Sequence, residues 1–231
     1  MKEKEKNNFE RYEEIIANLI TKTLLENEED IKQGKAVDIN KNRYEIILFE
    51  GFTEIFTVID TLKLIVTFIK TEPPKNSEIN YSNYLNYHIH NYFQEMYILK
   101  ERIKTYATKV YRKYQKVTNI DLIDRTKETI IRVTDSLNAI TGDRGIRNIH
   151  VHEKKYTDDN LNWLSSTTFL VKNNHIEYTS IQSEIYIETR NKWIETIENN
   201  NKFLMDMLDN YFKVLTEIIY KDNEVINPNW V

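Results

Sequence analysis

Apolar residues recur every three or four positions along most of the chain, which is the spacing of amphipathic helices. The first such segment runs from Phe9 to about Glu26, and a polar connector follows as far as Asn42. Tyr44–Lys70 is the most apolar segment, and its β-branched residues would also suit a strand. Because a run of this length without a turn signal exceeds an ordinary strand, it predicts a long buried helix that could kink near Gly51.

A loop with two consecutive prolines, residues 71–77, separates that segment from a second long helix. The spacing predicts this second helix over Tyr84–Val117 and a third helix over Ile120–Ile140. The third helix stops before Gly142, as expected for a glycine just beyond a helix C-terminus. Three consecutive helices therefore form the centre of the predicted fold.

Helical spacing continues through the C-terminal third of the chain. A helix is predicted to begin near Gly145, to break around residues 157–160 and to resume through Leu161–Leu170. A last long helix is predicted over Ile181–Tyr220, which the asparagines at 199–201 could interrupt. The pattern thus contains no segment that requires a sheet.

The composition agrees with an all-α fold. Four glycines and three prolines in 231 residues leave little material for the many turns of a β protein. A hydrophobic content of 40% suffices for a substantial core. Because no segment reads as a linker between domains, we predict a single helical domain over residues 1–231.

The composition also excludes several kinds of site. Without cysteine there can be no disulfide, thiolate nucleophile or cysteine-ligated zinc. The charged N-terminus lacks the pattern of a signal peptide, and no apolar run is long enough to span a membrane, so we expect a cytoplasmic protein without a membrane partner. Abundant Asn, Ile, Lys and Tyr suggest an AT-rich, bacterial genome. A net charge of −4 means that any polyanion must be bound by a local basic surface.

Such a surface is predicted on the second long helix, where residues 100–116 hold seven lysines or arginines and one acid, Glu101. Five of the basic residues share one face, here called the basic stripe: Arg102, Lys109, Arg112, Lys113 and Lys116. The stripe is either the solvated face of an amphipathic helix or a phosphate-binding surface, with Tyr106 and Tyr111 available for stacking on bases. The excess of one sign in an acidic protein slightly favours RNA binding.

The densest group of reactive side chains is Arg147-Asn148-Ile149-His150-Val151-His152, which follows a turn containing two of the four glycines. Arginine offers a planar fork of donors that matches a phosphate. Histidine can take and give protons near neutral pH. RNA cleavage needs a base for the 2′-OH, an acid for the leaving 5′-oxygen and positive charge on the phosphorane, so a metal is not obligatory. A helix N-terminus would add partial positive charge.

The spacing within this stretch favours a shared site. On an ideal helix Arg147 and His152 project about 140° apart, whereas Asn148 and His152 lie on one face. His150 lies about 60° from Arg147, on its other side. One chain offers a single His152 for two proton transfers, and a symmetric dimer would supply a second copy. We therefore expect a homodimer.

Arg147-Asn148-Ile149-His150-Val151-His152 resembles R-N-x-x-x-H, the usual form of the R-x(4–6)-H motif of HEPN-domain ribonucleases. These small helical domains occur in bacterial toxins, abortive-infection proteins and RNA-guided CRISPR effectors. In that family the motif follows a long antiparallel helix pair and lies near the start of a late helix. The element order predicted here is similar.

The resemblance implies an all-α, HEPN-like bundle with a core at about residues 44–172 and helical additions at 1–43 and 178–231. It implies catalytic roles for Arg147 and His152, with Asn148 orienting the site and His150 contacting RNA. It further implies a metal-independent endoribonuclease without a cofactor, leaving a 2′,3′-cyclic phosphate and acting in phage defence or a toxin system. An antitoxin or regulator would be a separate chain. The alternative is a non-catalytic helical module that binds RNA or a protein.

The remaining histidines and tryptophans are predicted to be structural. His88 and His90 are two positions apart, about 200° around a helix, so they cannot bind one metal from one face. We expect them to be packed or at the surface, and His175 to face solvent. Trp163 and Trp193 lie at helical spacing and are predicted in the core or at an interface.

Overall fold

The computed structural model of the chain describes residues 6–25, 28–33, 43–74, 78–117, 120–141 and 158–228. Over these residues the protein is all-α apart from one short hairpin, as the sequence predicts. The helices are α1 (Asn8–Leu25), α2 (Glu28–Lys32), α3 (Tyr44–Lys70), α4 (Tyr81–Tyr114), α5 (Ile120–Thr141), α6 (Asp159–Lys172) and α7 (Thr179–Ile219), with a 3-10 turn at Ile176–Tyr178. None of these described helices has the length and apolarity needed to cross a membrane.

Three of the sequence predictions differ from the structure. The connector after α1 was predicted to lack structure, but it contains the short helix α2. The predicted interruption at residues 199–201 is wrong, because α7 is continuous over 41 residues. The C-terminal hairpin was not predicted: β1 (Tyr220–Lys221) pairs antiparallel with β2 (Glu224–Val225). Its two turn residues have positive φ, and Asn and Asp tolerate that conformation.

Contacts group the chain into two compact units, and the long helices contribute to both. The first unit comprises Met1–Thr57, Leu99–Ser136 and Met205–Val231. The second unit comprises Val58–Ile98 and Leu137–Leu204.

The first unit is built on aromatic side chains from α1, α3 and α7. The ring of Phe212 lies 4.8 Å from Tyr12, 5.2 Å from Phe9 and 5.6 Å from Phe52, measured between centroids. All four side chains are buried. Since α1 and α7 supply half of this cluster or more, the N- and C-terminal helices belong to the core of the first unit.

Gly51 of α3 lies directly under the ring of Tyr106 of α4. A Cβ atom at Gly51 would be 2.2 Å from Cδ2 of Tyr106, so only glycine allows this approach. The Tyr106 hydroxyl contacts the Tyr12 hydroxyl at 2.6 Å and donates to the Leu48 carbonyl at 3.0 Å. The role of Gly51 is therefore close helix packing, and α3 continues through it.

In the second unit the first part of α4 packs against α7. The rings of Tyr81 and Tyr186 stack at 4.3 Å, and Phe93 meets Trp193 edge-on at 5.8 Å. Arg190 closes the end of α3, donating to the backbone carbonyl of Lys70 at 2.6 Å and to the Glu72 carboxylate at 2.9 Å. These contacts hold the start of the proline loop against α7.

Candidate functional site

The predicted catalytic residues Arg147, Asn148 and His152, together with His150, lie outside the described residues, in the stretch 142–157. The structure does describe the helices on either side of that stretch. Leu137, in the last turns of α5, is fully buried. The chain is thus anchored in the second unit shortly before the stretch begins.

The chain is anchored again immediately after the stretch, at Asp158. The Asp158 carboxylate accepts a hydrogen bond from the backbone N–H of Leu161 at 2.8 Å and so caps the N-terminus of α6. Lys192 of α7 lies 3.9 Å from the other carboxylate oxygen. The helix break predicted around residues 157–160 is explained by this cap. Asp158 follows His152 by six positions, so the candidate motif is covalently tied to a capped helix start.

The basic stripe lies on α4 as predicted, on the side away from the buried residues of that helix. Arg102, Lys109, Arg112 and Lys116 are exposed, and Lys113 is partly exposed. Arg102 donates to the Glu54 carboxylate of α3 at 2.8 Å, which partly neutralises it.

Three members of the stripe keep their charge available. Within the part of the chain that the structure describes, no carboxylate lies within ion-pair distance of Lys109, Arg112 or Lys116. A cluster of exposed, unneutralised cations on one helix face can bind successive phosphates of a polyanion. The stripe is therefore the described surface best suited to RNA.

The prediction that Tyr106 is available for stacking is wrong. Its side chain is 1% exposed and its hydroxyl is engaged by Tyr12 and Leu48, so it cannot meet a base. Burial raises the pKa of Tyr106 well above its ordinary value, as expected for a core phenol. Tyr111 is partly exposed, with the Lys127 ammonium 5.9 Å from its ring centroid.

The histidines in the described ranges do not form a catalytic or metal-binding group. His88 is buried, with the Phe68 ring stacked at 5.3 Å and the Tyr84 ring edge-on at 4.6 Å, as the packed interpretation predicts. His175 is exposed, with Nδ1 3.3 Å from a Glu177 carboxylate oxygen. Among the described side chains, no three potential ligands gather where they could hold a metal ion.

The two tryptophans have different environments. Trp193 is 5% exposed and belongs to the core of the second unit. Trp163 on α6 is 65% exposed, so of its two predicted locations the core is excluded. The helical periodicity could not separate them, because α6 carries apolar residues on its outward face as well as its inward face.

The chain was compared with models of protein families, with curated proteins and with solved structures, and none of the three comparisons finds a match.

Proposed function

We propose that the protein is a HEPN-like, metal-independent endoribonuclease that acts as a homodimer, in phage defence or a toxin system. The proposal is supported by the resemblance of residues 147–152 to the R-N-x-x-x-H motif and by the helices that precede it. In the first unit α3 and α4 run antiparallel, since Leu48 contacts Tyr106 and Glu54 contacts Arg102. A long antiparallel pair upstream of the motif is the arrangement expected from that family.

The observation that carries the proposal is the placement of the motif between α5 and the capped start of α6. Both helices bury leucines in the second unit, Leu137 before the motif and Leu161 after it. Catalytic groups must be held by rigid elements to reach their reacting atoms. Short connections to two packed helices are suited to that purpose.

In the proposed reaction His152 takes the proton from the ribose 2′-OH, and the 2′-oxygen attacks the adjacent phosphorus. Arg147 stabilises the negative charge of the phosphorane through paired hydrogen bonds. The partner's His152 gives a proton to the leaving 5′-oxygen as the P–O5′ bond breaks. The products are a 2′,3′-cyclic phosphate and a free 5′-OH, and no metal or cofactor takes part. Asn148 orients the site by hydrogen bonding.

The direct test is to incubate the purified protein with mixed RNA in EDTA. The native protein should yield fragments ending in 2′,3′-cyclic phosphate. Arg147→Ala and His152→Ala should each lower the rate by about 100-fold or more, the usual loss for an acid–base group. His175→Ala, at an exposed histidine in a loop, is the matched control and should retain activity. Equal absence of cleavage by the native protein and both variants would refute catalysis.

A second candidate function is favoured by Lys109, Arg112 and Lys116, whose charges have no acidic partner among the described residues. It is a non-catalytic helical module that binds RNA. Binding should then weaken with salt, and neutralising these three residues should reduce the salt dependence by roughly 0.7 per lost phosphate contact on a single strand. His152→Ala should bind as the native protein does. RNA affinity that is insensitive to salt would exclude this surface.

A further inference from the structure

Helix α6 carries an apolar surface on its outward face. Trp163 and Phe169 are 65% and 66% exposed, whereas Leu161 and Leu164 on the inward face are fully buried. Ser166 lies between the two aromatic residues, which project about 60° to either side of it. Ser166 is itself exposed. The outward face is thus a small central residue flanked by two large aromatic rings.

The same helix is almost free of charge. The chain is 29% charged, but among the 14 residues of α6 only Asp159 and Lys172 are. The 3-10 turn that packs against α6 extends the apolar surface with Ile176, which is 76% exposed. Depletion of charge around exposed aromatic residues is typical of the centre of a protein–protein interface and unusual for a solvated helix.

The residues of this face are arranged symmetrically about Ser166, which indicates what covers it. Trp163 precedes Ser166 by three positions and Phe169 follows it by three. An antiparallel copy of α6 with Ser166 on a two-fold axis therefore places each tryptophan against a phenylalanine. The helix also begins with an acid, Asp159, and ends with a base, Lys172, so antiparallel pairing brings opposite charges to the same end.

We propose that a second copy of this chain docks on α6, with the two α6 helices antiparallel and Ser166 at the two-fold axis. Such an isologous interface needs a self-complementary face, which the outward residues of α6 provide. A small residue at the crossing point lets two helices approach to the usual 8–10 Å between axes. Four aromatic side chains of roughly 150–250 Å² each, about two-thirds exposed, would supply roughly a third of a standard interface.

The interface is argued from α6 alone, but its catalytic meaning rests on the proposed function. Because α6 directly follows the candidate motif, pairing on α6 would bring a second Arg147 and His152 into the same assembly. The experiments below measure association without RNA, so failure of the interface and failure of catalysis can be told apart.

The first experiment measures molar mass by light scattering and sedimentation at 1–50 µM protein, roughly the range in which a stable dimer persists. The native protein should be a dimer. The double variant Trp163→Glu/Phe169→Glu should raise the dimer dissociation constant by roughly 100-fold or more, as loss of central aromatic anchors does. Its helical content and melting should stay native, because both positions are exposed.

The matched control is Phe203→Glu, which changes an exposed aromatic residue of α7 in the same unit and should leave the dimer intact. A native protein that stays monomeric across this range would overturn the proposal. So would a dimer that the double variant does not weaken. Loss of the dimer in Phe203→Glu, with the double variant unaffected, would move the interface to α7.

The second experiment uses the absence of cysteine from the chain. Ser166→Cys is nearly isosteric and should form an intermolecular disulfide under mild oxidation, because residues at the crossing point approach within the Cα distances that a disulfide requires. Thr196→Cys, at an exposed position of α7, is the control and should remain reduced and uncrosslinked. Slow or equal crosslinking of the two variants would overturn the antiparallel arrangement, even if the protein were dimeric.

Discussion

At the scale of single residues, the closest packing in the first unit is between Gly51 and Tyr106. A Cβ atom at Gly51 would lie 2.2 Å from Cδ2 and 2.6 Å from Cε2 of the ring. The ring cannot move aside cheaply, because its hydroxyl is bound to both Tyr12 and Leu48. Helix propensity and packing therefore make opposite demands at this position, and packing prevails.

Gly51→Ala should destabilise the protein. Alanine within a helix normally gains about 1 kcal/mol over glycine. Here the overlap with Tyr106 should reverse the sign and lower the free energy of unfolding by about 1–3 kcal/mol, as overpacking does. Urea unfolding followed by circular dichroism measures the change. Asn199→Ala, at an exposed position of α7, is the control and should not destabilise. An unchanged or higher midpoint for Gly51→Ala would contradict the close packing.

His88 is enclosed by the rings of Phe68, Tyr84 and Tyr87 in the second unit. Burial disfavours the charged imidazolium and lowers the pKa of His88 below its ordinary value of 6.5. The unfolded chain therefore binds a proton at a higher pH than the folded protein does. Stability that is full above pH 6.5 should be lost as the pH falls through that value toward the lower folded-state pKa.

The variant His88→Phe should remove that part of the pH dependence. The test compares unfolding midpoints in urea between pH 7.5 and about pH 5 for the native protein, His88→Phe and the exposed-site control His175→Phe. The native protein and the control should lose stability alike, and His88→Phe should lose less. A native pH profile in His88→Phe would show that other groups are responsible.

At the scale of elements, α1 is joined to α7 by a cap that is distant in sequence. The Asp209 carboxylate of α7 accepts hydrogen bonds from the backbone N–H of Asn8 at 2.5 Å and of Phe9 at 3.2 Å, and from the Asn8 amide at 2.7 Å. It satisfies donors at the start of α1 that have no partner within the helix, and its negative charge suits the helix dipole there. One carboxylate thus fixes both the start of α1 and its position on α7.

Asp209→Ala should lower the free energy of unfolding by about 1–2 kcal/mol, the usual cost of a lost cap. Asp209→Asn, which keeps an acceptor but loses the charge, should fall between the alanine variant and the native protein. Proteolysis near the N-terminus, together with denaturant unfolding, measures the effect. Asp206→Ala, one turn earlier at an exposed position, is the control. Equal effects of the alanine variants at 206 and 209 would argue against the cap.

The positions of α1, α3 and α5 could be predicted within one or two residues, because a buried helix face imposes a period that the sequence shows directly. Long-range partners could not. Nothing near Asn8 in sequence indicates that its cap is Asp209, and nothing near Gly51 indicates the ring of Tyr106. The same limit explains Tyr106 itself, since a tyrosine beside basic residues suits both stacking on RNA and a hydrogen bond in the core.

The candidate site was only partly open to prediction. The basic stripe lies on one face of α4 as its spacing indicates, but the pairing of Arg102 with Glu54 depends on how α3 packs. The low charge of α6 was visible in residues 159–172, although only the structure shows that Trp163 points outward. Arg147 and His152 stay predictions from the motif.

At the scale of the whole molecule, the account joins three features: a motif between α5 and α6, a basic stripe on α4 and an interface on α6. A site shared between two copies explains why the i, i+5 spacing of Arg147 and His152 need not place both on one helix face. It also requires that a defective partner harm a native one. Activity should therefore depend on the composition of the dimer as well as on the amount of native chain.

The most direct measurement equilibrates a fixed amount of native protein with increasing His152→Ala protein and follows RNA cleavage in EDTA. A shared site predicts that cleavage falls as mixed dimers replace native ones, toward a small residual rate at large excess of the variant. The double variant His152→Ala/Ser166→Glu, which places like charges at the two-fold axis, should not inhibit because it cannot pair. Cleavage that stays constant as His152→Ala is added, or no cleavage by the native protein, would contradict the account.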